Sequence, residues 1–101
     1  MGNDLIRICG VNELPAEGGV REVQAGNVTL CVGKLNGRIF VLDNECPHEG
    51  GPLGEGELEG GKVVCPWHGY AFDPSTGASD GEERARVFEV IVQGGEVFAK
   101  V

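Results

Sequence analysis

The residues of this chain best suited to chemistry are two cysteine–histidine pairs. Cys46-Pro47-His48 is followed, after sixteen intervening residues, by Cys65-Pro66-Trp67-His68. These two motifs use both histidines of the chain and two of its four cysteines. Thiolate sulfur and imidazole nitrogen are good ligands for transition metals. The pattern therefore predicts one metal centre, and its expected ligands are Cys46, His48, Cys65 and His68.

Two kinds of metal centre use two cysteines and two histidines. A structural zinc site in a binding module normally pairs cysteine with cysteine and histidine with histidine along the chain. A mixed-ligand [2Fe–2S] cluster instead holds one iron by two thiolates and the other by two imidazoles. The mixed Cys–His pairs favour the iron–sulfur cluster and argue against zinc. A colourless, zinc-containing protein without acid-labile sulfide would establish the zinc alternative.

The elements that must position these residues are short strands. Stretches rich in Val, Ile, Leu and Phe, bounded by Gly, Asn, Asp or Pro, predict strands. The predicted strands are residues 4–10, 20–25, 27–33, 38–43, 62–65, 69–72, 87–92 and 96–101. This layout predicts an all-β fold, a small sandwich or barrel, with an insertion of two metal-bearing loops.

Turn signals join these strands. Asn36-Gly37 and Gly94-Gly95 each predict a two-residue hairpin turn, because such residues tolerate positive φ. Pro74–Gly77 predicts a type I or II turn. Helix signals are weak: Asn12–Pro15 and Glu82–Ala85 could each form a single helical turn at most.

A hairpin inside the insertion explains how the two motifs meet. Glu57–Glu59 leads away from the first motif, Gly60-Gly61 turns the chain, and Lys62–Val64 returns it. We expect this hairpin to deliver Cys65 to the end of the molecule where Cys46 lies.

Length and charge limit the functions that the chain can have. Its 101 residues predict one domain over 1–101, with a metal-binding subdomain at about 44–73. The formal net charge of −8 argues against binding to nucleic acid and to anionic membrane surfaces, because both would repel the chain. It suits docking onto a basic partner, although a solvated acidic face is the plain alternative. The acidic residues near the motifs are Glu45, Glu49, Glu55, Glu57 and Glu59.

The expected compartment is the cytoplasm. Met1–Gly10 lacks the apolar region of a signal peptide, and no stretch has the length of a membrane span. Cys9 and Cys31 lie in apolar runs and are predicted to be small core residues. A disulfide between these two cysteines remains open at this point.

Both motifs resemble the cluster-binding motifs of Rieske-type ferredoxins, which carry electrons in bacterial oxygenase systems. The resemblance covers Cys46–Leu53 and Cys65–Asp73, and the following Pro74–Gly77 is similar too. It implies a Rieske-type β fold and one [2Fe–2S] cluster. It also implies that Cys46 and Cys65 bind the inner iron, whereas His48 and His68 bind the outer iron through Nδ1.

The residues around the ligands suit such a cluster. Pro47 and Pro66 are expected to stiffen the loops, and Gly50, Gly51, Gly54 and Gly69 are expected to leave backbone N–H groups free to point at sulfur. Pro52-Leu53 and Trp67 are expected to cover the cluster.

The chain departs from high-potential Rieske proteins in two respects. Each loop lacks the additional cysteine of their disulfide, and Tyr70 and Phe72 stand where those proteins place Ser and Tyr hydroxyls near the cluster. Fewer hydroxyl donors predict a low potential of about −150 mV.

These features predict a soluble, monomeric one-electron carrier rather than an enzyme. No histidine is left for catalysis once both are ligands. The carrier would accept electrons from a flavoprotein reductase and pass them to a terminal oxygenase or another redox enzyme. The alternatives are a small subunit of a larger reductase such as nitrite reductase, and a redox sensor.

Overall fold

The computed structural model describes residues 5–47, 50–67 and 69–100. Within these ranges the chain forms nine strands and two short 3₁₀ turns, so the all-β prediction is confirmed. The strands are β1 Leu5–Gly10, β2 Val20–Ala25, β3 Val28–Leu35, β4 Arg38–Asp43, β5 Glu57–Glu59, β6 Lys62–Val64, β7 Ala71–Phe72, β8 Val87–Gln93 and β9 Glu96–Lys100.

The strands form two antiparallel sheets. The larger sheet has the order β1-β9-β8-β4-β3-β2, and the smaller one has the order β5-β6-β7. The edge strands β1 and β2 also contact each other, so the larger sheet nearly closes into a barrel. Strands β5 and β6 lie between the two cysteine motifs in sequence, and the connection from β6 to β7 carries the second motif.

The predicted two-residue hairpins are confirmed. Asn36 and Gly37 have φ values of 54° and 77°, and the flanking Leu35 and Arg38 are paired in register. Positive φ at both turn positions matches the right-handed twist of the two strands. Gly94-Gly95 joins β8 to β9 in the same way, with φ values of 60° and 77°.

The predicted hairpin of the insertion is also present. Glu59 pairs with Lys62 across Gly60-Gly61, so β5 and β6 run out and back as expected. Strand β7 begins at Ala71 rather than at residue 69, because the Cys65 N–H donates to the Tyr70 carbonyl and keeps the preceding residues in a loop.

The helical predictions are partly corrected. The first turn is a 3₁₀ turn at Val11–Glu13, one residue earlier than expected, and a second at Leu53–Glu55 was not predicted. The prediction of a helical turn at Glu82–Ala85 is wrong, because Arg84 instead forms a β-bridge with Ala78. In the described ranges, no helix has the length and apolar character needed to cross a bilayer.

Two apolar clusters form the core, one on each face of β3 and β4. Leu30, Val32 and Val41 belong to the cluster inside the larger sheet. The alternate residues of the same strands face the smaller sheet, as expected from the two-residue period of a strand. This second cluster consists of Cys31, Phe40, Leu42, Cys46, Leu53, Val63, Cys65, Phe72 and Ala85.

Cys9 and Cys31 are buried core residues, as predicted, and both are free thiols. Burial raises the pKa of Cys31 to about 12, and the nearby Glu22 carboxylate contributes to the shift. The Cys31 thiol therefore stays protonated at neutral pH and is a packing residue.

The turn after β7 depends on Gly77. Its N–H donates to the Asp73 carbonyl at 2.7 Å, so the closing bond spans five residues rather than the predicted four of Pro74–Gly77. Gly77 has a φ of +80°, and a Cβ there would lie 2.0 Å from the Ala85 carbonyl oxygen. Close backbone approach, as well as conformation, requires glycine at this position.

We predict that Gly77→Ala destabilises the protein more than Gly95→Ala does. Gly95 has a similar φ of +77°, but no atom lies within 4 Å of a Cβ placed there. Both substitutions bear the left-handed strain of about 1–2 kcal/mol. Gly77→Ala adds roughly 1–3 kcal/mol of overpacking. Urea unfolding of the two variants measures the difference, and equal losses would contradict the close approach of Gly77 to Ala85.

Candidate metal centre

The first cysteine lies in a loop that is closed by a short ladder of backbone contacts. Glu45 and Pro52 form a β-bridge at its base. Above it, the Cys46 N–H donates to the Gly51 carbonyl at 2.8 Å, and the Gly50 N–H donates to the Cys46 carbonyl at 2.7 Å. These bonds fix the backbone at Cys46 from both sides. The prediction that the Gly50 N–H is free to point at sulfur is therefore wrong, because the Cys46 carbonyl accepts it.

The second cysteine lies in a loop of the same design. Cys65 follows β6, and its N–H donates to the Tyr70 carbonyl at 2.7 Å. In both loops the cysteine N–H therefore bonds the carbonyl five residues later. Each cysteine is followed directly by proline and, four residues on, by a glycine in the left-handed region, with φ values of 82° at Gly50 and 72° at Gly69. The two motifs thus give two matched loops.

The structure brings the two loop cysteines together. Cys46 and Cys65 are free, almost fully buried, and part of one core cluster. The pKa of the Cys65 thiol is raised, chiefly by burial; the Trp67 backbone N–H opposes the shift by donating to the sulfur, while the neighbouring Cys46 adds to it. Two adjacent, buried thiols with an N–H group directed at sulfur suit a thiolate-bound iron centre.

The two loops touch at Gly51. A Cβ on Gly51 would lie 2.8 Å from the Cys65 sulfur and 2.9 Å from Cγ of Trp67. The Trp67 indole therefore extends from the second loop onto the first, and 49% of the residue stays exposed. That Trp67 covers the cluster stays a prediction. Leu53 instead is fully buried and anchors the first loop in the core.

Asn44 and Glu22 are residues of the site that the sequence did not reveal. Asn44 lies two residues before Cys46 and bonds to Gly54 and Glu22 at the base of the first loop. The Gly54 N–H therefore donates to Asn44, so the prediction that it is free to point at sulfur is wrong. A polar residue directly after a strand and before a ligand is the only local sign of this role. Its partner Glu22 is distant in sequence and carries no such sign.

The residues that departed from high-potential Rieske proteins lie close to the centre. Phe72 is fully buried in the same cluster as both cysteines, and its ring carries no hydroxyl. Tyr70 is partly buried and packs against this cluster, while its carbonyl closes the second loop. The low reduction potential that these residues predict stays a prediction.

The predicted ligands His48 and His68 lie outside the described residues, as does Glu49. Within the described ranges, Cys46 and Cys65 are the predicted ligands that the fold brings together. The same ranges contain no group of three or more His, Cys, Asp or Glu side chains placed to bind a metal elsewhere.

The surface around the first loop carries charges of both signs. Glu45, Glu55, Glu57 and Glu59 are exposed, as a docking face for a basic partner requires. However, a cleft of about 390 Å³ beside Cys46 and Pro47 is also lined by two arginines and two carboxylates. These charged residues are Asp43, Glu45, Arg84 and Arg86.

Comparisons with known proteins agree with this site. The family model described as Rieske [2Fe-2S] domain matches residues 4–91. Ferredoxin CarAc of Metapseudomonas resinovorans is 32% identical over 97 residues, covering 92% of this chain and 90% of its own length. A chain in the solved complex of reduced oxygenase and oxidized ferredoxin in carbazole 1,9a-dioxygenase is 29% identical, with a TM-score of 0.83 over 97% of this chain and 94% of that one.

The same domain also matches a much longer protein. Apoptosis-inducing factor 3 of Homo sapiens is 36% identical over 96 residues, which cover 92% of this chain but 16% of that protein. The chain therefore spans about a sixth of this relative's length.

We predict that Gly51→Ala lowers cluster content, because the new methyl group forces the two loops apart. The matched control is Gly81→Ala, whose Cβ would lie 2.9 Å from the end of the flexible Glu83 side chain and in ordinary contact, at 3.9 Å, with Oγ of Ser79. Iron and acid-labile sulfide per chain, measured after purification, should fall severalfold in Gly51→Ala and stay near the parent value in Gly81→Ala. Full cluster content in Gly51→Ala would show that the loops need not touch there.

Proposed function

Because this chain belongs to the Rieske [2Fe-2S] domain family, we propose that it carries single electrons from a flavoprotein reductase to a terminal oxygenase or a similar redox enzyme. Its cofactor is one [2Fe–2S] cluster. The observation that carries the proposal is the contact of two buried thiols, Cys46 and Cys65, held by two matched loops.

We propose Cys46 and Cys65 as the ligands of one iron, and His48 and His68 as the ligands of the other. The thiol pair supports the first half of this assignment, and the matched motifs support the second. When bound, such a cluster takes up and releases one electron.

The surrounding residues would set how readily the electron is accepted. The backbone N–H of Trp67 donates to the Cys65 sulfur and so stabilises negative charge on it. Phe72, which has no hydroxyl, supplies no such bond from its side chain. Burial of both thiols also disfavours added negative charge in this apolar cluster. The missing hydroxyl donor and the burial of the thiols together support a reduction potential near the low end of the Rieske range.

Several features support a separate carrier without substrate chemistry of its own. CarAc, a relative of nearly the same length, is a ferredoxin, and the solved complex pairs a ferredoxin with an oxygenase. These relatives do not favour the nitrite-reductase subunit. The family match does not favour the zinc module.

We propose residues 1–101 as one domain with a cluster-binding subdomain at about 44–73. A core cluster that joins β3 and β4 to the smaller sheet supports this unit. We also propose a monomer in the cytoplasm, where free cysteines such as Cys9 and Cys31 stay reduced.

We propose that partners dock at the end that carries both loops. Pro47, Pro66 and Trp67 are exposed there, and exposed glutamates follow in the adjacent strand β5. Rigid apolar residues with an acidic rim fit a partner that has an apolar centre and a basic rim.

The dithionite-reduced protein should give an electron paramagnetic resonance spectrum with the low average g value of mixed Cys/His ligation. A redox titration of the same sample should give about −150 mV. Absence of this spectrum, or zinc in place of iron and sulfide, would refute the proposed function. A potential well above zero would refute only the low-potential assignment.

The double variant Glu57→Gln/Glu59→Gln should slow reduction of the protein by a basic-faced flavoprotein ferredoxin reductase. Stopped-flow rates at low salt should fall severalfold, and high salt should remove the difference. Glu89→Gln serves as the control, because Glu89 lies on β8 beyond the residues that pair with β4, beside Lys100 and away from the loops. Equal rates for the double variant and the parent at low salt would contradict acidic docking.

A further inference from the structure

Asn44 is the one buried polar side chain in the part of the chain that the structure describes. It follows the last residue of β4 and precedes Cys46 by two positions. Burying an amide is costly unless its polar atoms are hydrogen-bonded. A buried Asn at this position therefore needs a reason beyond packing.

All four hydrogen-bonding groups of Asn44 have partners. Its backbone N–H donates to the Thr29 carbonyl at 3.3 Å, and its carbonyl accepts the Leu53 N–H at 2.7 Å. Its side-chain Oδ1 accepts the Gly54 N–H at 2.7 Å, and its Nδ2 donates to Oε2 of Glu22 at 2.7 Å. One residue thus ties the beginning of the first loop to its end, and both to the larger sheet.

The fit around Gly54 shows how tightly these groups are packed. A Cβ on Gly54 would lie 2.7 Å from Oδ1 of Asn44 and 2.7 Å from both Cγ and the backbone nitrogen of Glu22. The first loop, the Asn44 side chain and β2 therefore pack together without space for a methyl group on Gly54. Gly54 follows Leu53, which is fully buried beside Cys46 and Cys65.

The donors and acceptors require an amide at position 44. The Gly54 N–H needs an acceptor, whereas the Glu22 carboxylate needs a donor. Asn supplies one of each in a fixed orientation. An aspartate would still accept from Gly54, but it would place a second carboxylate 2.7 Å from Glu22.

We propose that Asn44 and Glu22 are positioning residues that hold the first loop so that Cys46 faces Cys65. The proposal rests on the proposed function, because the feature that it explains is the placement of a cluster ligand. Asn44 fixes the base of the loop, the Glu45–Pro52 bridge extends it, and the Cys46 N–H bond to Gly51 completes it. Loosening the base lets Cys46 move relative to the second loop.

The test compares Asn44→Asp, Glu22→Gln and the double variant that combines them. Asn44→Asp should release the cluster about tenfold faster under an iron chelator, the effect of one lost buried hydrogen bond with an added like charge. It should also shift the g values of the reduced protein. Glu22→Gln keeps an acceptor for Asn44 and should stay near the parent.

The double variant should restore retention to within about twofold of the parent, because the new amide at position 22 can donate to the new carboxylate at position 44. Asn36→Asp is the matched control, since the backbone N–H of Asn36 also donates to a glutamate, Glu17, but in the distant β3–β4 turn. A general loss of stability would not move the g values or be rescued by the second substitution.

Unchanged retention and g values in Asn44→Asp would overturn the proposal, as would a double variant no better than Asn44→Asp alone. If Asn44→Asp does not fold, Glu22→Ala replaces it, and cluster release should then be accelerated by a smaller factor. An unchanged release rate in Glu22→Ala would overturn the proposal. A parent protein without a Rieske spectrum would instead refute the proposed function, so the two failures are distinguishable.

Discussion

The burial of two cysteines in one apolar cluster is the constraint on which the site depends. Cys46 lies in the loop after β4 of the larger sheet, and Cys65 lies in the loop after β6 of the smaller sheet. Both belong to one cluster built from β3, β4 and the insertion. Packing of Leu53, Val63 and Phe72 therefore does two things at once. It holds the smaller sheet against the barrel, and it brings the thiols of Cys46 and Cys65 into contact.

The two loops reach this contact by the same local means. Each closes with a hydrogen bond from the cysteine N–H to the carbonyl five residues later, and each has proline after the cysteine and a left-handed glycine before the closing residue. Such loops leave little conformational freedom to lose when a ligand binds. The contact at Gly51 then sets the distance between them, because any side chain there would meet the Cys65 sulfur or the Trp67 ring.

The surface beside the first loop carries charges of both signs. The chain is strongly acidic, with a formal net charge of −8, but Arg84 and Arg86 line a cleft beside the first loop. Arg86 also stacks over Phe88, 4.7 Å from the ring centroid, so its guanidinium is held in place. A cleft with charges of both signs beside the first loop can select the orientation of a partner as well as attract it.

The sequence by itself determined the strands, the hairpins and the pair of motifs, because these depend on residues close together along the chain. Alternation of apolar residues, Asn36-Gly37 and Gly94-Gly95, and the Cys–Pro steps are all local patterns. Local patterns failed where another segment decided the outcome: Arg84 pairs with Ala78 instead of entering a helical turn, and residues 69 and 70 close a loop instead of extending β7. Only the tertiary structure placed Glu22 beside Asn44 and Gly51 against Cys65, since hydrogen bonds and close contacts between distant segments leave no periodic trace in the sequence.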